Sequence, residues 1–88
     1  MKRWTIVFKA LANVNRLKII GLLSGGRKMN VGDIAAELKI SFTAASNHLI
    51  MMEKLDVLET EGRAGHVFYY LNSRMPRDFS RALALFLR

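Results

Sequence analysis

Apolar residues recur at helical spacing through most of the chain. Trp4, Val7, Phe8 and Leu11 fill the i, i+3, i+4, i+7 template and predict a first helix over about residues 3–12. Asn13 is the predicted N-cap of a second helix carrying Leu17, Ile20 and Leu23. Ser24-Gly25-Gly26 ends it, where glycine can take the left-handed conformation that closes a helix. Asn30 then caps a third helix with Val31, Ile34, Ala35 and Leu38 on one face, and Asp33 stands at its N3 position as in a capping box. Ser41 caps a fourth helix that runs to about Leu55, with Ala45, Leu49 and Met52 along its apolar side.

Beyond that point the pattern changes to β-formers. Val57-Leu58-Glu59-Thr60-Glu61 and His66-Val67-Phe68-Tyr69-Tyr70-Leu71 flank Gly62-Arg63-Ala64-Gly65, a predicted four-residue turn, and together they read as a hairpin. Pro76 occupies a predicted first helical position, and Phe79, Ala82, Leu83 and Phe86 fill the helix template again. The expected fold is mainly α with a small β-hairpin, a winged helix-turn-helix occupying one domain over residues 1–88. Its helix-turn-helix spans about 31–55 around the turn Lys39-Ile40, its wing about 57–71, and the outer helices about 3–12 and 76–87. A helix-turn-helix pattern alone is unspecific, because any two amphipathic helices with a short joint imitate it. The hairpin directly downstream makes it specific.

Composition adds two pressures to this plan. Fourteen Lys and Arg against 7 Asp and Glu leave a net charge of +7, which points to a polyanion, nucleic acid first. Apolar residues make up 51% of 88 positions, yet a chain this short buries only roughly 60% of the surface its unfolded form exposes. A membrane does not explain the excess: the longest apolar run, Ala82 to Leu87, falls far short of the roughly 20 residues a spanning helix needs. Met1-Lys2-Arg3-Trp4 imitates the basic start of a signal peptide, but Lys9 and Asn13 break the stretch that should follow. A cytoplasmic protein is therefore expected.

A second copy of the chain explains the excess better. Leu85 and Leu87 make the last helix apolar nearly all round, so most of its sides need cover. A two-fold homodimer through Trp4, Val7, Phe8, Leu11, Phe79, Leu83, Phe86 and Leu87 would supply it. The chain has no cysteine, which removes disulfides, thiolate metal sites and thiol catalysis together. His48 and His66 lie on different elements without a nearby carboxylate, a poor metal set, so neither metal nor other cofactor is expected. No nucleophile, P-loop or dinucleotide motif occurs, which argues against an enzyme. Nor does any motif point to a small-molecule effector.

Three segments carry a resemblance to a known family. Ala10-Leu11-Ala12-Asn13-Val14-Asn15-Arg16-Leu17-Lys18-Ile19-Ile20 resembles the "ALADPTRLRIL" opening of the ArsR (arsenic-repressor-like) family. Ser41 through Leu49 is similar to its "S-x-x-x-x-S-x-H-L" recognition helix, and Val67 to Asn72 to its wing strand "VYYRLN". The likeness covers about residues 8–72, in family order. It implies a homodimeric DNA-binding transcription regulator, most often a repressor, that dimerises through its first and last helices. Two departures matter. The family's metal sensors carry "CVC" in the third helix where this chain has Asn30-Val31-Gly32. A second family metal site uses Asp and His on the last helix, where this chain has Asp78 but no histidine.

Placing residues at about 100° per position sorts the fourth helix into faces. Opposite the Ala45, Leu49 and Met52 side lie Thr43, Asn47, Ile50 and Lys54, with Ser46 flanking them. Asn47 can bond adenine in a bidentate way, and Thr43 offers a hydroxyl and a methyl. Ser41, at the helix start, suits a phosphate. His48 falls at the edge of the core side, where it either packs and bonds a backbone group or phosphate, or reads a base. Phe42 is expected to pack toward the core. Ile50 replaces the family's usual lysine; it either touches a thymine methyl or is partly buried.

On the wing, Arg63 at the tip and His66 at the strand start suit a phosphate or minor-groove contact. Glu59 and Glu61 must then face away from DNA, or the wing contributes little. Double-stranded DNA is thus the expected partner, with Lys2, Arg3, Arg16, Lys18, Arg27, Lys28, Lys39 and Arg63 attracting it from around the recognition helix. A two-fold dimer predicts a pseudo-palindromic operator with half-sites about one helical turn apart. The rival reading is a winged helix used for protein–protein contact or within a larger complex. It is favoured by the sparse charge of the fourth helix, where Lys54 is the one basic side chain.

Overall fold

The structure is a computed structural model that describes residues 2–86, with side chains through Leu85. Leu87 and the Phe86 side chain, both expected on the dimer face, lie outside the described residues. The elements run α1 (Lys2–Leu11), α2 (Val14–Leu23), a 3-10 turn (Ser24–Gly26), β1 (Met29–Asn30), α3 (Val31–Leu38), α4 (Phe42–Lys54), β2 (Leu58–Arg63), β3 (His66–Leu71) and α5 (Arg77–Phe86). The strands form one antiparallel sheet in the order β1-β3-β2. This is a winged helix-turn-helix.

Short polar side chains start the inner helices. The Asn13 side-chain oxygen accepts from the N–H groups of Asn15 and Arg16 at 3.0 and 3.2 Å. That of Asn30 accepts from Asp33 N–H at 2.8 Å, and the Ser41 hydroxyl from Ala44 N–H at 3.0 Å. Each bond satisfies one of the donors a helix start leaves open and stabilises by about 1 kcal/mol. Pro76 stands one position earlier than expected: its carbonyl accepts from Ser80 N–H at 3.0 Å, and the helical residues begin at Arg77.

Two left-handed residues set the directions around α4. Lys39 (φ 57°, ψ 43°) closes α3, with Ile40 N–H reaching back to the Ala35 carbonyl at 3.1 Å. Ser41 follows at once as the cap of α4, so the joint of the helix-turn-helix holds three residues between Leu38 and Phe42. At the far end Asp56 (φ 62°) turns the chain, while Asp56 N–H bonds Glu53 and Val57 N–H bonds Met52, both at 3.0 Å. This pair of bonds is a Schellman closure. Its apolar partners, Met52 and Val57, are each 1% exposed, which aims the chain into β2.

The wing differs from expectation in two respects. The hairpin turn is two residues, not four: Arg63 pairs with His66, leaving Ala64 (φ 52°) and Gly65 (φ 81°) at the tip. Positive φ at both positions matches the right-handed twist of the flanking strands, so the strands pair to the very end. The third strand, β1, was not expected. Met29 and Asn30 pair with Tyr69 and Phe68, and two residues are too few to show an alternating pattern.

The core draws on every helix and on the wing. Val7, Ile19, Ile20, Leu23, Ile34, Leu49, Met52, Val57, Leu58, Phe79 and Leu83 are essentially inaccessible, and among the described residues no polar or charged side chain is buried. This placement corrects the expected dimer face. Val7, Phe79 and Leu83 lie inside a single protomer, because α5 returns across α1 and turns its Phe79/Leu83 stripe inward. No helix among the described residues is long and apolar enough to cross a membrane.

Candidate nucleic-acid interface

The outward face of α4 carries Thr43, Asn47, Ile50 and Lys54, all exposed, with Ser46 half-buried beside them. They stand at i, i+4, i+7 and i+11, one stripe along the helix opposite the buried Ala45, Leu49 and Met52. Ile50 is 42% exposed, so it is an outward residue of the stripe. Ser41 accepts from the backbone with its oxygen, which leaves its O–H as a donor at the helix start.

Phe42 departs from expectation. Instead of packing inward it is 62% exposed. The buried positions of α4 begin only at Ala45, so its first residue projects beyond the core. There it borders a cleft of about 560 Å³ between the starts of α3 and α4 and the wing, lined also by Val31, His66, Val67 and Tyr69.

His48 is half-buried and engaged within the chain. Its Nδ1 accepts from Arg16 Nε at 3.2 Å. Burial, and secondarily the adjacent guanidinium, push its pKa below that of a free imidazole. Arg16 in turn donates from Nη1 to the carbonyls of Lys9 and Ala10 at 3.4 and 3.3 Å. Two residues expected around DNA are therefore bonded to each other. Nothing in the sequence signals that link, since 32 positions separate them.

One of the wing's two acidic side chains, Glu61, is already held. Glu61 bonds Lys28 at 3.0 Å and Arg63 at 2.7 Å, and the Lys28 hydrogen bond is the main reason its carboxyl titrates below the usual range. Glu59 pairs with Tyr70 across the ladder and raises the tyrosine's pKa, while the Lys28 ammonium sits 4.8 Å from the Tyr70 ring centre. Arg63 is not at the tip, as expected, but on the last residue of β2, opposite His66. Its side chain is 69% exposed even while bonded to Glu61. Lys18, Arg27, Lys39 and Lys54 are also exposed.

A second surface lies on the outer helices. Trp4 and Phe8 stack with ring centres 5.7 Å apart and, with Leu11, Leu17, Ala82 and Leu85, line an open groove of about 600 Å³. Phe8 is 62% and Leu85 72% exposed. Arg3 ties the two helices together: it bonds the Asp78 carboxylate, with a second contact at 3.3 Å, and lies 5.4 Å over the Phe79 ring. That bond is the main cause of a lowered Asp78 pKa.

Comparison with known proteins decides what this arrangement belongs to. The model of the bacterial regulatory protein arsR family matches residues 13–60, from the α2 cap into β2. The transcriptional repressor SdpR of Bacillus subtilis is 36% identical over 82% of this chain and 79% of its own length. The chain belongs to the ArsR family. The transcriptional activator HlyU of Vibrio cholerae is 34% identical over 77% of this chain and 62% of its own. The solved HlyU structure aligns with a TM-score of 0.78 at 27% identity, covering 97% of this chain and 88% of that one. The homodimeric winged helix-turn-helix domain of Mb0332 from Mycobacterium bovis reaches 0.76 at 29%, covering 97% and 75%. The family is one of transcription regulators, not of enzymes. This member has no cysteine, and its Asp78 is bonded to Arg3.

Proposed function

We propose that the chain is a sequence-specific DNA-binding transcription regulator that works as a homodimer and represses by occupying its operator. The observation that carries this reading is the outward stripe of α4 behind a capped, three-residue joint. Asn47 is the base reader, bidentate to adenine, with Thr43 and Ser46 beside it and Ile50 against a thymine methyl. Ser41 and Lys54 hold phosphates at the two ends of the stripe, while Arg63 and His66 meet the flanking backbone or minor groove. Glu61, neutralised by Lys28 and Arg63, does not oppose that approach.

A second copy covers the Trp4, Phe8, Leu11 and Leu85 groove, in line with the homodimeric assembly of the Mb0332 domain. Its two-fold axis calls for a pseudo-palindromic operator with half-sites about one helical turn apart. A DNA target accords with a cytoplasmic location. Selection of bound sequences from random DNA at two salt concentrations tests the reading. A palindromic consensus whose affinity falls steeply with salt is expected, because phosphate contacts release counterions. Recovery of no consensus at low salt overturns it and leaves the protein–protein module, which the single basic residue of α4 favours.

A further inference from the structure

Arg16 joins three helices at one point. Its backbone N–H is held by the Asn13 cap at the start of α2, which fixes where its side chain begins. Its Nη1 reaches the carbonyls of Lys9 and Ala10, two of the last acceptors of α1, where a cation also suits the helix dipole. Its Nε donates to Nδ1 of His48, in the middle of the recognition helix. A guanidinium has only donors, so this bond exists only while Nδ1 carries no proton.

We propose that Arg16 is a positioning residue that couples the dimer-side helix α1 to the recognition helix α4 through the unprotonated Nδ1 of His48. The proposal rests on the DNA-binding reading above. Protonation of His48 replaces an acceptor by a second donor and sets two cations against each other. Arg16 on α2 faces the imidazole directly, and Lys9 on α1 lines a pocket on the other side of Arg16 with Met51 and Leu55. Both are positive, and burial together with Arg16 already disfavours the imidazolium. Acid therefore breaks the Arg16 tether between α4 and the α1–α2 junction, while the apolar core keeps the helices docked.

The sign of the acid response separates this role from direct DNA contact. An imidazolium touching phosphate tightens binding as pH falls, whereas an imidazolium that ejects Arg16 loosens it. The test measures binding of the full chain to its selected operator at pH 7.5 and 5.5 for wild type and His48→Asn, with circular dichroism confirming the fold at both. Wild-type affinity should fall in acid by a few-fold and by less than about tenfold, the limit that an imidazole of ordinary pKa would set at pH 5.5, because the His48 pKa lies below that of a free imidazole. His48→Asn should hold its affinity within about twofold between the two pH values, since Asn does not titrate. Any contribution of His66 is common to both proteins and cancels.

Arg16→Ala should bind about tenfold more weakly with an unchanged salt slope; a slope shallower by about 1 marks a phosphate contact and overturns the proposal. Tighter wild-type binding in acid, or the same acid response in His48→Asn, overturns it as well. If Arg16→Ala does not fold, the two pH responses decide. A wild type that binds no DNA at all defeats the functional reading together with this one, whereas a binding wild type with either of the contrary responses defeats this one alone.

Discussion

Two surfaces of this molecule are both open to solvent and built in opposite ways. The α4 stripe of Thr43, Asn47, Ile50 and Lys54 is mostly polar, sparsely charged and mounted on a helix capped at both ends. The α1–α5 groove is aromatic and aliphatic, with Trp4 stacked on Phe8 and Leu85 standing 72% exposed. A stripe that discriminates among ligands needs directional donors and acceptors on a rigid support. A surface that must stay covered needs apolar area, and directionality adds little to it. The contrast also locates the two compositional pressures. The apolar excess lies on the outer helices, whereas α4 carries a single basic residue, Lys54, and the rest of the positive charge is spread over the other elements.

Four substitutions test that contrast. The largest effect should come from beneath the groove and not from its surface. Phe79→Ala empties a site with no accessible surface and should cost about 3–5 kcal/mol of stability in urea denaturation. Equal stability of mutant and wild type would mean that α5 is not docked. On the groove itself, Phe8→Glu should leave the secondary structure intact, because Phe8 is 62% exposed in the protomer. It should turn the dimer into a monomer in light scattering, because burying an unpaired carboxylate at an interface costs several kcal/mol. A dimer that persists would move the interface elsewhere.

On the polar stripe, Asn47→Ala should weaken operator binding by about 1–3 kcal/mol and relax the preference at one base pair, with dimerisation and salt slope unchanged. Specific binding that survives intact would remove Asn47 from base readout. The smallest effect spares both surfaces. Lys39 is a non-glycine residue at φ 57°, and Lys39→Gly should relieve the left-handed strain and raise stability by about 0.5–1 kcal/mol, after the entropy glycine costs in the unfolded chain. A lower melting temperature would mean that the Lys39 side chain stabilises the joint by more than its backbone strain costs.

The inner helices were legible to within a residue or two. Asn13, Asn30 and Ser41 announced their starts, and the apolar spacing their inward faces. What could not be read has a common cause. At β1, Met29 and Asn30 are strand residues only because Tyr69 and Phe68 lie alongside. The Ala64-Gly65 turn lacks the Asn-Gly pair that would have marked two positive φ values. Phe42 sits at a helix position that the wheel places near the core, but the core does not reach that far along the helix.

The outer helices show the division most clearly. Periodicity identified Trp4, Val7, Phe8, Leu11, Phe79 and Leu83 as apolar faces, but not which members point into their own protomer. The packing of α5 across α1 decided that, taking Val7, Phe79 and Leu83 inside and leaving Trp4 and Phe8 out.

By itself the sequence determined the helices, their caps, the hairpin and the family, because each rests on residues within about four positions of one another or on short linear motifs. Tertiary structure alone decided the pairings: Arg16 with His48 across 32 positions, Lys28 with Glu61 across 33, Arg3 with Asp78 across 75. A guanidinium or carboxylate carries no mark of its partner along the chain. Only the folded backbone brings the two within hydrogen-bond reach, and that is how two residues expected on DNA came to hold each other.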